Sequence, residues 1–161
     1  MSSVRPAGDQ DVARVLGIAA RRRAAYANYQ PRFWRPAEDA ESRQTAYLVS
    51  LLSDPEVVFL VGCDSAGVVE AFVIARLVPS PPVYDPGGLT CFIDDFAVGD
   101  ESDWPVMGAG LIHAVKAWAA ERGGVQLVAV AGQRDLAKRD VLDSAGLSVA
   151  SEWWVGEMDA Q

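Results

Sequence analysis

Histidine is nearly missing from this 161-residue chain, with His113 the only one. Cysteine is scarce too: Cys63 and Cys91 stand apart in apolar runs, with no CxxC pair. Metal-site spacing is therefore absent and no metal is expected. Both thiols are expected buried and reduced, given the intracellular setting the chain implies. Basic residues are outnumbered, 14 Lys and Arg against 22 Asp and Glu, leaving a formal charge of −8. Phosphate binding wants clustered Lys and Arg, so no nucleic-acid partner is expected. No apolar run approaches membrane-spanning length, and the stretch MSSVRPAGDQ has no apolar signal core. A cytoplasmic chain with no membrane partner is the expectation.

What is present is globular. Half the residues are hydrophobic and 22% are charged, and the length suits a single domain over 1–161 with its own core. The acidic surplus serves solubility and also attracts a cationic small substrate.

Along the chain, Val4-Arg5-Pro6 makes a short extended start. Asp9 to Asp11 supply capping carboxylates for a helix through about Ala25, with Val12, Val15, Leu16 and Ala19 at helical spacing. Arg21, Arg22 and Arg23 form its basic end, a solvated helix terminus or an anion site. The loop YANYQPRFWRP (Tyr26 to Pro36) has four aromatics and two prolines, and either packs over the core or lines a cavity. A helix over Ala37 to Ser53 follows, then strands over Val57 to Cys63 and Val68 to Val78 joined as a hairpin. After the proline-rich loop from Pro79 to Gly88, the spacing predicts a strand over Thr90–Val98 and a helix over Met107–Arg122. A buried strand over Val125–Ala131, a helix over Leu136–Ala145 and a closing strand over Val149–Met158 complete the chain. Trp153 and Trp154 should point one ring each way, one of them into the core. The order predicts an α/β (α+β) fold with a mixed, mainly antiparallel sheet and helices on both faces.

The stretch from Phe92 to Gly110, FIDDFAVGDESDWPVMGAG, joins two acids on a strand to a glycine pair at the mouth of a helix. A carboxylate beside a helix N-terminus can remove a proton next to a bound anion. Asp94 is the first choice of general base, being two and four residues from Phe96 and Val98 on one strand face until a bulge intervenes. Asp95 is the alternative, as base or as a clamp on a cationic substrate. His113 reads as a surface residue. Tyr26, Tyr29, Trp34 and Tyr84 are candidates for substrate contact or for a proton donor.

With this element order, the chain resembles the GNAT superfamily of acyl-CoA-dependent N-acyltransferases. Three local matches carry the resemblance. Ile93-Asp94-Asp95-Phe96-Ala97-Val98 is similar to the family's fourth strand, where a bulge splays it from the fifth. That leaves a backbone N–H, here of Val98 or a neighbour, for the thioester carbonyl. Pro105-Val106-Met107-Gly108-Ala109-Gly110 is similar to the pyrophosphate-binding turn, with Pro105 where the family has Gln or Arg. The third match is DLAKRDVLDSAGL (Asp135 to Leu147), with Leu142 where much of the family carries a tyrosine general acid. Lys138 and Arg139 lie nearby and are expected as surface charges.

The resemblance implies acetyl-CoA as acyl donor, held by Phe96, Ala97, Val98, Met107, Gly108, Ala109, Gly110 and Leu111, and direct attack by a small amine. It also implies a homodimer. Pro105 and Leu142 support a second reading, a GNAT-fold CoA- or ligand-binding regulatory module without efficient catalysis.

Overall fold

The computed structural model describes residues 2–158. A five-stranded sheet runs in chain order, β1 (Ser3–Pro6), β2 (Val57–Cys63), β3 (Val69–Val78), β4 (Leu89–Val98) and β5 (Gly124–Ala129). The first four pair antiparallel and β5 joins β4 in parallel. A parallel partner needs a crossover, and α3 (Ala109–Ala120) supplies it. This is the mixed, mainly antiparallel sheet that the sequence predicts.

Strand alternation divides the core into two layers. Phe59, Val61, Phe72, Ile74 and Ala97 face α1 (Val12–Tyr29) and α2 (Ala40–Leu51), meeting Val15, Ile18 and Leu48. Val73, Ala75, Ile93, Phe96 and Val98 face the opposite way, onto α3 and α4 (Leu136–Ser144). Cys63 and Cys91 are buried and free, one in each layer.

Three expectations are corrected. First, α1 runs past Ala25 to Tyr29, because the first proline that can stop it is Pro31. Proline pushes its predecessor out of helical geometry, and Gln30 sits at φ −147°, ψ 89°. Second, β5 is an outer strand rather than a buried one, with Val125 52% and Val128 39% exposed. Third, Val149 to Met158 forms no strand, since no sheet edge in this chain pairs with it. Trp153 and Trp154 are both exposed, against the expectation that one ring enters the core.

Candidate functional site

β4 carries one residue too many for its partner. Asp95 pairs with Ile74 and Ile93 with Ala75, so Asp94 bulges out between them. On the other side β4 stays with β5 only as far as Ile93, opposite Ala129. From Asp94 onward that edge has no strand against it. The Gly99 N–H donates to Glu70 O of β3 at 2.7 Å. Alternation therefore turns the Val98 N–H and the Phe96 backbone toward the open edge.

A cavity of about 430 Å³ lies between this edge and the α1–α2 layer. Asp94, Asp95, Phe96 and Lys138 line one side; Arg22, Tyr26, Phe33 and Trp34 line the other. The two acids differ in their commitments. Asp94 Oδ2 accepts from the Tyr47 hydroxyl and lies 3.6 Å from Arg76. Burial and this bond push the Tyr47 hydroxyl up to about 12. Asp95 accepts a long bond from Gln44 Nε2 at 3.3 Å and is also bonded by the Phe96 backbone. Burial raises its pKa, and the charge of Lys138 only partly opposes that.

Behind Asp95 is a charged cluster. Asp135 is buried at the N-cap of α4, where it accepts from the Lys138 backbone N–H. It also accepts from Arg22 and, at 2.6 Å, from the Tyr26 hydroxyl. Burial first, and the Asp135 bond second, hold that hydroxyl protonated well above the ordinary tyrosine range. Lys138 is only 6% exposed and its Nζ donates to Phe96 O at 3.1 Å, on the open edge of β4. Burial lowers its pKa to about 8, with Asp95 and Asp135 resisting. Lys138 is thus a core residue and not a surface charge, and Arg22 is an ion-paired residue rather than a solvated helix end.

The glycine pair is also corrected. Helical structure opens well before it, with a short 3₁₀ turn Glu101–Asp103 and a π turn Trp104–Gly108 running into α3. Gly108 is therefore inside a helical run, where the Ala109 N–H already donates to Trp104 O. The true opening is capped by Asp100, which accepts from the Ser102 N–H at 2.9 Å. Gly108 has a packing reason: a Cβ there would lie 2.5 Å from Cε3 of Trp104. Trp104 is fully buried, edge-on to Phe96 at 4.8 Å. Pro105 stands at the start of the π segment.

A second cavity, about 460 Å³, lies between α3 and α4 and is lined by Trp104, Pro105, Ala109, His113, Lys116 and Val141 among others. The Phe96–Trp104 ring pair stands between the two. Val98 and Phe96 are buried at the open edge, with Ala97 turned to the other layer, while Met107 and Leu111 are core residues and Gly110 is half-buried. Of the aromatic candidates, Tyr26 and Trp34 meet in the first cavity with rings 4.7 Å apart. Tyr29 packs behind Tyr26 at 5.4 Å. Tyr84 is 72% exposed in the loop before β4 and lines neither cavity.

No protein-family model and no curated protein matches the chain. Solved structures do match. A BH1408 protein variant from Bacillus halodurans superposes with a TM-score of 0.80 at 17% identity, over 97% of this chain and 99% of that one. A predicted acetyltransferase with acetyl-CoA from Clostridium acetobutylicum gives 0.72 at 19% identity, over 98% and 96%. An aminoglycoside antibiotic 6'-N-acetyltransferase from Acinetobacter baumannii gives 0.70 at 12% identity over the whole of both chains. The chain has the acyl-CoA N-acyltransferase (GNAT) fold.

Proposed function

We propose that the chain is an N-acetyltransferase, moving an acetyl group from acetyl-CoA to a small amine-bearing acceptor by direct attack. The observation that carries this reading is the open edge of β4. It offers the Val98 N–H beside two carboxylates and a cavity large enough for a small acceptor.

In this mechanism the Val98 N–H donates to the thioester oxygen as charge builds there. Asp95 takes the proton that the acceptor ammonium must lose before its nitrogen can attack. Asp95 suits this role better than Asp94, whose Oδ2 already accepts from Tyr47 and lies beside the charge of Arg76. A raised carboxylate pKa moves Asp95 toward the range where a base works at neutral pH. Asp94 then serves as the clamp for the incoming cation. Tyr26 and Trp34 form the acceptor wall. Phe96 and Val98 at the open edge, with the turn from Met107 through Gly108, Ala109 and Gly110 to Leu111, border the acyl donor.

Replacing Asp95 by Asn should lower kcat by about 10²-fold or more while acetyl-CoA affinity stays near wild type. Thiol release over an amine panel, with calorimetric titration of acetyl-CoA, measures both. An Asp95→Asn enzyme with an unchanged rate would clear that residue of the base role.

The second reading, a binding or regulatory module without efficient turnover, draws on the Asp100 cap. That cap sets a carboxylate where a pyrophosphate would want free N–H groups. Thermal stabilisation by acetyl-CoA without thiol release on any amine would support it, and no stabilisation would remove CoA from both readings. A homodimer belongs to the same proposal, because β5 and the segment bearing Trp153 and Trp154 leave apolar surface that a second copy would cover.

A further inference from the structure

Acyl transfer from a thioester needs a proton for the departing sulfur as well as a base for the amine, and the position the resemblance offers for that acid is Leu142, which has none to give. The side chains around the open edge of β4 narrow the alternatives. The Tyr26 hydroxyl already donates to Asp135 and is held firmly protonated by burial. Arg22 is paired with the same carboxylate and has no proton to transfer near neutral pH. Tyr47 donates to Asp94 on the α2 side of the cavity. His113 is exposed and lines the other cavity.

Lys138 is what remains, and its placement is specific. It lies one helical turn before Leu142 on the same face of α4, with Val141 beside it. Its Nζ sits 3.1 Å from Phe96 O and 5.3 Å from the Phe96 ring centroid, so the ammonium lies in the gap where β5 has left β4. Phe96 O and the Val98 N–H face that same gap, on residues two apart along the strand. Only one of the three Nζ protons is used in the Phe96 bond.

We propose that Lys138 is the proton donor to the leaving sulfur, delivering its proton across the open edge of β4. This assignment rests on the acyl-transfer reading. The acceptor nitrogen forms the C–N bond with its lone pair while the C–S bond breaks, leaving that pair on sulfur. Two protons leave the acceptor nitrogen, one before attack and one once the C–N bond has formed, and each passes through Asp95 to solvent. The Nζ proton goes to sulfur, and Lys138 is reprotonated from water in the cavity. The sum is ammonium plus thioester giving amide, thiol and one proton. The charged groups facing Nζ are Asp95 from β4, Asp135 from the start of α4 and Arg22 from α1. The two carboxylates keep the ammonium charged at neutral pH against its burial.

The test is steady-state kinetics of the full chain carrying Lys138→Met or Lys138→Arg, across pH, beside calorimetric titration of acetyl-CoA. Arg can still bond Phe96 O but has no transferable proton, so a structural role would be rescued by Lys138→Arg and an acid role would not. The expected result is a kcat loss of about 10²-fold in both variants with acetyl-CoA affinity within about twofold of wild type. Wild-type kcat should fall as pH rises through about 8, and both variants should lack that limb. Acetyl-seleno-CoA, whose selenolate leaves without a proton, should shrink the deficit. Recovery by Arg, an unchanged rate in Lys138→Met, or an undiminished deficit with the selenoester would each overturn the assignment while leaving the acyl-transfer reading standing. Absence of turnover by the wild-type chain on every amine would overturn that reading, and this one with it.

Discussion

Asp135 organises the ionised groups of the site. Its carboxylate draws the Arg22 guanidinium, the Tyr26 hydroxyl and the first turn of α4 onto one point, joining the two helical layers across the end of the sheet. Lys138, one turn further on, lies beneath them with its charge held in the core. Folding lowers the pKa of this ammonium from 10.5 to about 8, so the folded chain binds that proton more weakly than the unfolded chain does. The resulting destabilisation is complete below about pH 8 and is relieved as pH rises toward the unfolded value. Between about pH 8 and 10 the wild-type chain should therefore gain roughly 1–2 kcal/mol relative to Lys138→Met, read from urea denaturation at the two ends of the window. The difference levels off as pH reaches the unfolded value of 10.5, and Tyr26 and Tyr47, held protonated by folding, act alike in both chains. This cluster was within reach of the sequence. Asp135 precedes a helix as an N-cap should, and Lys138 stands three and four residues before Val141 and Leu142, on the stripe that must be buried. The general preference of lysine for water argues the other way, and here the tertiary partners overrule it.

At the scale of the element, β2, β3 and β4 lie within a residue of where their apolar, β-branched patterns place them, because packing and pattern agree there. The turn into α3 is different. Its local sequence, a proline and two glycines, reads as a phosphate-binding helix start, yet the first glycine is occupied by a tryptophan ring. No spacing rule reports that Trp104 folds back over Gly108, since the contact is set by the room left between Phe96 and α4. Gly108→Ala should cost about 1–3 kcal/mol by forcing a fully buried ring to move. Equilibrium denaturation measures this, and a neutral result would mean that the Trp104 ring has space the packing does not indicate. The indole Nε1 of Trp104 has no hydrogen-bond partner among the described residues, which adds a polar cost to the same contact.

At the scale of the whole molecule, the sequence orders the layers correctly and misjudges the end of the chain. A strand pattern needs an edge to pair with, and the alternation in VASEWWVGEM says nothing about whether one is available. Trp153 and Trp154 are 82% and 90% exposed, Met158 is 90% exposed, and Val130 beyond β5 is 55% exposed. Phe33 touches the Trp153 ring at 5.9 Å and Arg32 pairs with Glu157 at 3.0 Å, which ties the segment loosely to the aromatic loop. With this surface covered by a second copy, light scattering should give the mass of a dimer, and replacing both Trp153 and Trp154 by Ser should shift it to a monomer. A monomeric wild-type chain at micromolar concentration would remove the dimer from the reading.

The spare residue at Asp94 sets the parity of β4. Before it, the odd-numbered Cys91 and Ile93 point to α3 and α4; after it, the even-numbered Phe96 and Val98 do. Substituting Asp94 changes a carboxylate, whereas deleting it would remove the spare residue and leave strict alternation, with Ile93 and Phe96 on the faces they now occupy. Phe96 and Val98 would stay against α3 and α4, and Ala97 against α1 and α2. Deletion at this point therefore acts on the open edge and its carboxylates, and leaves the two faces of the core as they are.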